Sequence, residues 1–388
     1  MSKKTQTLLS VLLFLFSINL NAQNLSQLAA KYGFKLGTVI SLTSVNNPAY
    51  KKMIRDDFNS ITASNEFKAY SLLNQHDSML NPDGMPVMRY NAADKICDFA
   101  QENGIKMRGH VLVWDAYMKD WFFREGFRKD GAVVSKEVME ERLRSYITDV
   151  ITHFETKYPG VVYCWDVVNE AVADGANEWV QGNSYHLRKT RGGAKNMFYE
   201  TLGEDYVLFA FKCARETVNS LGADIKLFYN DYSTFYADKR GAICRLIKYL
   251  NKDEKLCDGV GMQGYIGGYG RQEGCLNAND LVQIKQSIKM FSDLGVEVQL
   301  TEVAVRNYKN DESTMKKHAL FCAKLIYAVQ EAVLEGANFT GLTIWGIKDN
   351  PQLKERDYSY KMNGPYCGLY DNDLQPKESY YEVYNALK

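Results

Sequence analysis

The amino-acid sequence predicts an α/β fold, a closed (β/α)8 TIM barrel, and three observations carry that expectation. Short apolar, β-branched runs alternate with longer amphipathic stretches about eight times along 388 residues. Each short run is nearly continuous in its apolar character, as parallel strands covered on both faces are. Strict alternation argues for a parallel sheet, and eight units in a chain of this length suit a closed barrel better than an open, doubly wound sheet. No Gly-x-Gly-x-x-Gly follows the first strand, which removes the usual dinucleotide-binding form of the open sheet.

In order, the expected strands begin with KLGTVI from Lys35, NSITASN from Asn59, KMRGHVLVW from Lys106 and VVYCWDVVN from Val161. IKLFYND from Ile225, DGVGMQG from Asp258, EVQLTEV from Glu297 and FTGLTIWG from Phe339 complete the eight. Helical patterns lie between them. AADKICDFAQENG stops at Gly104, and a long stretch opens with Ser135 and has Glu137 two positions later. LFAFKCARETVNSLG stops at Gly222, NANDLVQIKQSIKMFSDLG at Gly295, and TMKKHALFCAKLIYAVQEAVLEG at Gly336. A capping side chain at the start and a Gly at the stop are the expected punctuation. Two long polar stretches, 171–200 and 348–376, follow the fourth and eighth strands, on the face where barrels carry their chemistry.

Lys+Arg and Asp+Glu both number 47. A balanced chain has no electrostatic reason to prefer nucleic acid or an anionic membrane, so neither is expected as a partner. The 26 Tyr can line a carbohydrate cleft as readily as they fill core and surface. Residues 1–22 have the layout of a secretory signal peptide. Lys3 and Lys4 give a positive start, the apolar run Leu8–Leu15 is broken only by Ser10, and Ala22 closes the segment. That run is too short to span a bilayer. The expected mature chain is therefore one catalytic barrel, residues 23–388, secreted or periplasmic, and a monomer that embraces a polymer. Eight Cys include no Cys-x-x-Cys pair, and Cys213 and Cys322 fall in apolar helical stretches where buried thiols are expected. The five His show no ligand spacing, so neither a metal nor another cofactor is expected.

In a barrel, a polar residue ending an apolar strand reads as functional. The strand ends present Asn65 and Lys68, His110 and Trp114, Asn169 and Glu170, Asn230 and Asp231, Gln263, Glu302, and Trp345. Two carboxylic acids beside Trp, Asn, Gln and His are what glycoside hydrolysis needs. One protonates the leaving oxygen, and the other attacks or stabilises the oxocarbenium-like centre. The competing reading, a polar plug whose groups only satisfy one another, requires all of them to coincide on separate strand ends.

Seven segments then carry a resemblance: NSITASNEFK (59–68), RGHVLVW (108–114), WDVVNEA (165–171), YNDYS (229–233), GVGMQG (259–264), LTEV (300–303) and TIWG (343–346). Together, in this order and at successive strand ends, they resemble glycoside hydrolase family 10, the family of endo-xylanases, over nearly the whole mature chain. The resemblance implies a retaining double displacement with Glu302 as nucleophile and Glu170 as acid, then base. It implies that Asn169 holds the sugar 2-hydroxyl and Glu302. It also implies that Asn65, Lys68, His110, Gln263 and Trp345 form the glycone pocket, with Trp114 beneath the reacting sugar. The substrate implied is a polysaccharide or oligosaccharide with β-1,4-xylosidic bonds.

The sequence departs from the family at several of these positions. The family's His two residues past the Gln is Tyr265, and its Asp two residues past the nucleophile is Ala304. Joint loss is coherent, because a buried Asp without its His would be an uncompensated charge costing several kcal/mol. Tyr265 either takes over the contact to Glu302 or only fills the space. The family's Glu before the conserved Asn is Ser64, its His and Gln after the third-strand Trp are Asp115 and Tyr117, and its second Trp after strand eight has no counterpart. Losing that Gln and Trp is expected to widen the pocket toward a decorated xylan or a glucose-type β-glycoside. Two other readings stay open: a hydrolase of β-glucan or another β-glycoside, and a catalytically retired carbohydrate-binding barrel.

Overall fold

Eight parallel strands close on themselves: β1 Lys35–Ile40, β2 Ser60–Ala63, β3 Lys106–Val113, β4 Val162–Asn169, β5 Lys226–Asp231, β6 Gly259–Met262, β7 Glu297–Val305 and β8 Phe339–Ile344. Neighbours in the chain are neighbours in the sheet, and β8 pairs with both β7 and β1, which completes the barrel. This computed structural model describes residues 23–176, 183–267 and 276–388. The expected signal segment 1–22 and Cys275 lie outside the described residues.

The strands form where the sequence is apolar on both sides of the pleat. In β3 every residue but Lys106 is buried, and in β7 every residue but Glu297. Outward-facing residues pack beneath the helices α1 Pro48–Asp57, α2 Asn91–Glu102, α3 Lys136–Lys157, α4 Tyr206–Leu221, α5 Ala237–Leu250, α6 Ala278–Ser292, α7 Glu312–Leu334 and α8 Glu378–Leu387. The expected capping is present: Ser135 accepts from the Val138 N–H at the start of α3, and α4 stops at Gly222 in the left-handed conformation. In α3, Met139, Leu143, Tyr146, Ile147, Val150, Ile151 and Phe154 repeat at helical spacing and are all buried. The thiols of Cys213 and Cys322 are free and buried on α4 and α7. No helix among the described residues is long and apolar enough to cross a membrane.

Helices α1, α5 and α8 were not marked by the sequence. In α5 the apolar face is interrupted by Lys239 and Arg240, yet both are buried because each has a partner. The Lys239 ammonium pairs with Asp231 at 2.8 Å, and Arg240 donates to the Ser287 hydroxyl at 3.0 Å. The polar stretch 171–200 contains a small antiparallel hairpin, Thr190–Arg191 against Ala194–Lys195, turned by Gly192 and Gly193, both at positive φ.

One ionic crosspiece spans the barrel interior. The Arg108 guanidinium on β3 forks onto Asp166 of β4 at 2.6 and 3.0 Å and donates to Gln299 of β7 at 2.9 Å. Strands β3 and β7 are not neighbours, so this side chain crosses the core. Burial favours the neutral Asp166 carboxyl, but Arg108 and His110 together outweigh it and hold it below the usual carboxylate range. Asp166→Ala strands a buried guanidinium and is expected to cost about 3–5 kcal/mol. A thermal melt reads this as a large fall in Tm, and an unchanged Tm would refute it.

Candidate active site

The carboxylates lie at the C-terminal ends of β4 and β7. Glu170 directly follows β4 with φ +56°, a left-handed conformation uncommon outside Gly, and its N–H donates to the Asn230 carbonyl of β5 at 2.8 Å. A sterically sparse backbone held by its neighbour is the kind of strain that active sites retain. Only 7% of Glu170 and 6% of Glu302 is exposed. Each carboxylate oxygen has its own donor. Glu170 Oε1 accepts from Gln263 Nε2 at 2.9 Å and Oε2 from Arg191 Nη1 at 2.8 Å. Glu302 Oε1 accepts from Asn230 Nδ2 at 3.2 Å and Oε2 from the Tyr265 hydroxyl at 2.6 Å.

A chain of amides joins the two acids. Asn169 Oδ1 accepts from Asn230 Nδ2 at 2.8 Å and lies 3.4 Å from Gln263 Nε2. Asn230 is fixed in turn by the Thr301 hydroxyl, which donates to its Oδ1 at 2.7 Å. Gly261 leaves room for this arrangement, since a Cβ there would sit 2.2 Å from Asn230 Oδ1. The contact that the resemblance gave to Asn169 is therefore made by Asn230. The two residues are paired across β4 and β5, and it is the β5 amide that reaches the nucleophile position. Asn169 Nδ2 is buried and has no partner among the described residues. An unmatched buried donor costs about 1–3 kcal/mol.

Around the acids, an ammonium and three aromatic rings gather. Lys68 Nζ donates to Asn65 Oδ1 at 3.2 Å and lies 5.3 Å from the Trp114 ring. Burial lowers the Lys68 ammonium below the usual lysine range, against the pull of Glu302, Glu170 and Glu66. His110 lies 5.8 Å from Trp114 and 6.2 Å from Trp345, centroid to centroid. Its Nδ1 faces Asp166 at 2.8 Å. A carboxylate accepts, so Nδ1 carries the hydrogen of this contact. The structure thus gathers Asn65, Lys68, His110, Trp114, Asn169, Glu170, Gln263, Tyr265, Glu302 and Trp345 at one mouth of the barrel. Among the described residues, no group of three or more His, Cys, Asp or Glu is placed to hold a metal ion.

The departures from the family pattern have structural counterparts. Tyr265 and Ala304 are register partners between a short strand, Tyr265–Ile266, and β7. A large phenol faces a small methyl, and the phenol reaches Glu302. Tyr265→Phe removes a hydrogen bond to a charged group, worth about 1.5–3 kcal/mol, so kcat/KM is expected to fall about 10- to 100-fold. A loss of no more than a few-fold would reduce Tyr265 to a space filler. Tyr117 does not leave its side of the pocket open. Its ring lies 4.4 Å from Trp114 and 4.4 Å from Lys68 Nζ, so an added ring lines this wall.

Burial raises the Glu170 carboxyl above the usual range; Asp231 and Glu302 add to this, while Arg191 and Gln263 oppose it. Arg191 and its partner Asp115 are site residues that sequence reasoning missed in these roles. Arg191 lies on a hairpin 21 residues beyond Glu170, a separation that carries no motif.

Two buried acids in unlike surroundings, among amides and indoles at the mouth of a (β/α)8 barrel, are the groups that the glycoside hydrolase class of barrels requires. Residues 24–386 match the model of glycosyl hydrolase family 10, and the chain belongs to that family. It is 36% identical over 358 residues to endo-1,4-beta-xylanase A of Thermotoga maritima, covering 90% of this chain and 30% of that protein. With endo-1,4-beta-xylanase B of Butyrivibrio fibrisolvens it shares 31% identity over 360 residues, covering 91% of this chain and 52% of the relative. The chain thus spans about a third to a half of these two proteins. The N-terminal endo-1,4-beta-D-xylanase 10B of Clostridium thermocellum, solved with xylohexaose, superposes with a TM-score of 0.80 at 28% identity, covering 100% of this chain and 69% of that one.

Proposed function

We propose that this chain is a retaining endo-1,4-β-xylanase. The observation that carries the reading is the contrast between the two acids. Glu302 accepts from two neutral donors, Asn230 and Tyr265, while Glu170 is a buried acid whose proton is held more tightly than usual. In the first step Glu302 bonds to the anomeric carbon, and the proton of Glu170 passes to the departing sugar oxygen. In the second, Glu170 takes a proton from water, whose oxygen displaces Glu302. For this path the carboxyl groups should lie about 5–5.5 Å apart. The unmatched Asn169 amide suits a hydroxyl beside the reacting carbon. Lys68, Asn65, His110, Gln263 and Trp345 would hold the glycone, above Trp114. Xylan is the substrate named for the relatives. Export is proposed on the Lys3–Lys4 start and the Leu8–Leu15 run alone.

The test is hydrolysis of linear xylan, glucuronoarabinoxylan and mixed-linkage glucan, with the first-formed anomer followed by NMR. Xylan is expected to be cleaved fastest, with the β-anomer appearing first. Faster cleavage of the glucan would overturn the substrate, and an α-anomer appearing first would overturn retention.

A further inference from the structure

An arginine bound to the catalytic acid is unexpected, because that acid must carry a proton when it acts. Arg191 is nevertheless built into the site. Its Nε and Nη2 fork onto Asp115 Oδ2 and Oδ1 at 3.0 and 2.8 Å, and its Nη1 donates to Glu170 Oε2 at 2.8 Å. Nη2 also reaches the Glu170 carbonyl at 3.3 Å. The Asp115 side chain is 7% exposed and that of Arg191 27%, so the pair is only partly screened by water. The neighbouring Arg188 is committed elsewhere, to the carbonyls of Glu170 and Val172 and to the Tyr232 hydroxyl. The other charged groups facing Glu170 are Asp231, which Lys239 neutralises at 2.8 Å, together with Glu302 and Lys68.

Asp115 occupies the position where the resemblance expects a His, and Arg191 comes from the hairpin. Together they replace one neutral or singly charged neighbour of the acid with an internally compensated ion pair. We propose that Arg191, clamped by Asp115, is a positioning residue for the acid/base, fixing the direction of its carboxyl and setting the alkaline limit of activity. The proposal rests on Glu170 being the acid/base. Burial makes the acid hold its proton to higher pH, and the guanidinium works against this. Asp115 moderates the guanidinium by sharing its charge.

The two partners therefore act with opposite sign. The alkaline limb of kcat/KM reports the acid in the free enzyme. Arg191→Met removes the cation and should move that limb up by about one pH unit, the low end for a carboxyl losing an Arg neighbour because this one is partly exposed. Asp115→Asn keeps an acceptor for the fork but removes its negative charge, so the limb should move down. Arg191→Lys keeps the cation and should return the limb close to that of the unmodified enzyme. Thermal melts of all three variants show whether each is folded. A limb that stays put in Arg191→Met, or moves the same way in Arg191→Met and Asp115→Asn, overturns the proposal. Glu170→Ala separates the two ideas: if that variant still cleaves xylan at an undiminished rate, the assignment of the acid has failed, whatever Arg191 does.

Discussion

In Glu302→Ala, turnover of xylan is expected to fall by at least about 10⁴-fold, because removing a covalent nucleophile removes the two-step path itself. The two donors that face its oxygens, Tyr265 and Asn230, remain in place and mark out an anion-sized space. Azide added to this variant with an activated aryl xylobioside should occupy that space and attack from the face Glu302 held. A single displacement inverts, so the product should be the α-glycosyl azide. NMR of the product decides the matter. A β-azide, or a loss of less than about tenfold, would remove Glu302 from the nucleophile's role.

How much of this site could be read in advance depends on what each residue's position obeys. Strand ends were legible because a parallel barrel strand is a bounded, largely apolar run, and polar residues toward its C-terminal end mark the mouth. Glu170 and Glu302 were found that way. The amide partner of Glu302 was not, because choosing between Asn169 and Asn230 requires the register of β4 against β5 and the path of each amide past Gly261. Neither is encoded in spacing. Helix α5 was hidden for a related reason: Lys239 and Arg240 look like a solvated face until Asp231 and Ser287 are seen opposite them. Arg191 gave no signal, since a short Gly-Gly turn amid polar residues is the pattern of an ordinary surface loop. The expectation of a wider pocket counted what was lost and left out the replacement ring of Tyr117, which lies 4.4 Å from Trp114.

Glu170→Ala should separate the two halves of the reaction by leaving group. Xylan departs as an alkoxide unless it is protonated, so its cleavage should fall about 10²- to 10⁴-fold. A dinitrophenyl xylobioside leaves without help, and its first step should remain fast. The glycosyl-enzyme then accumulates because water lacks a base, and a burst of phenol precedes slow turnover. Azide needs no base, so it should restore turnover. It enters from the Glu170 side and should give the β-glycosyl azide, opposite to the product of Glu302→Ala. Equal losses on both substrates without a burst would refute the acid/base role.

The pairing of β1 with β8 bears on how such a chain reaches this structure. The Thr38 hydroxyl meets the Ile344 carbonyl across 306 residues, and Asp57 accepts from Tyr370 and Tyr380 across 313 and 323. Contacts this distant raise the contact order and slow folding, because the loop entropy is spent before the contacts form. A nascent chain has made seven strands before the eighth exists. Until Phe339–Ile344 emerges, β1 and β7 are bare edges, the arrangement that invites pairing with other chains. A chain ending before Phe339 therefore leaves both of these edges without the strand that covers them.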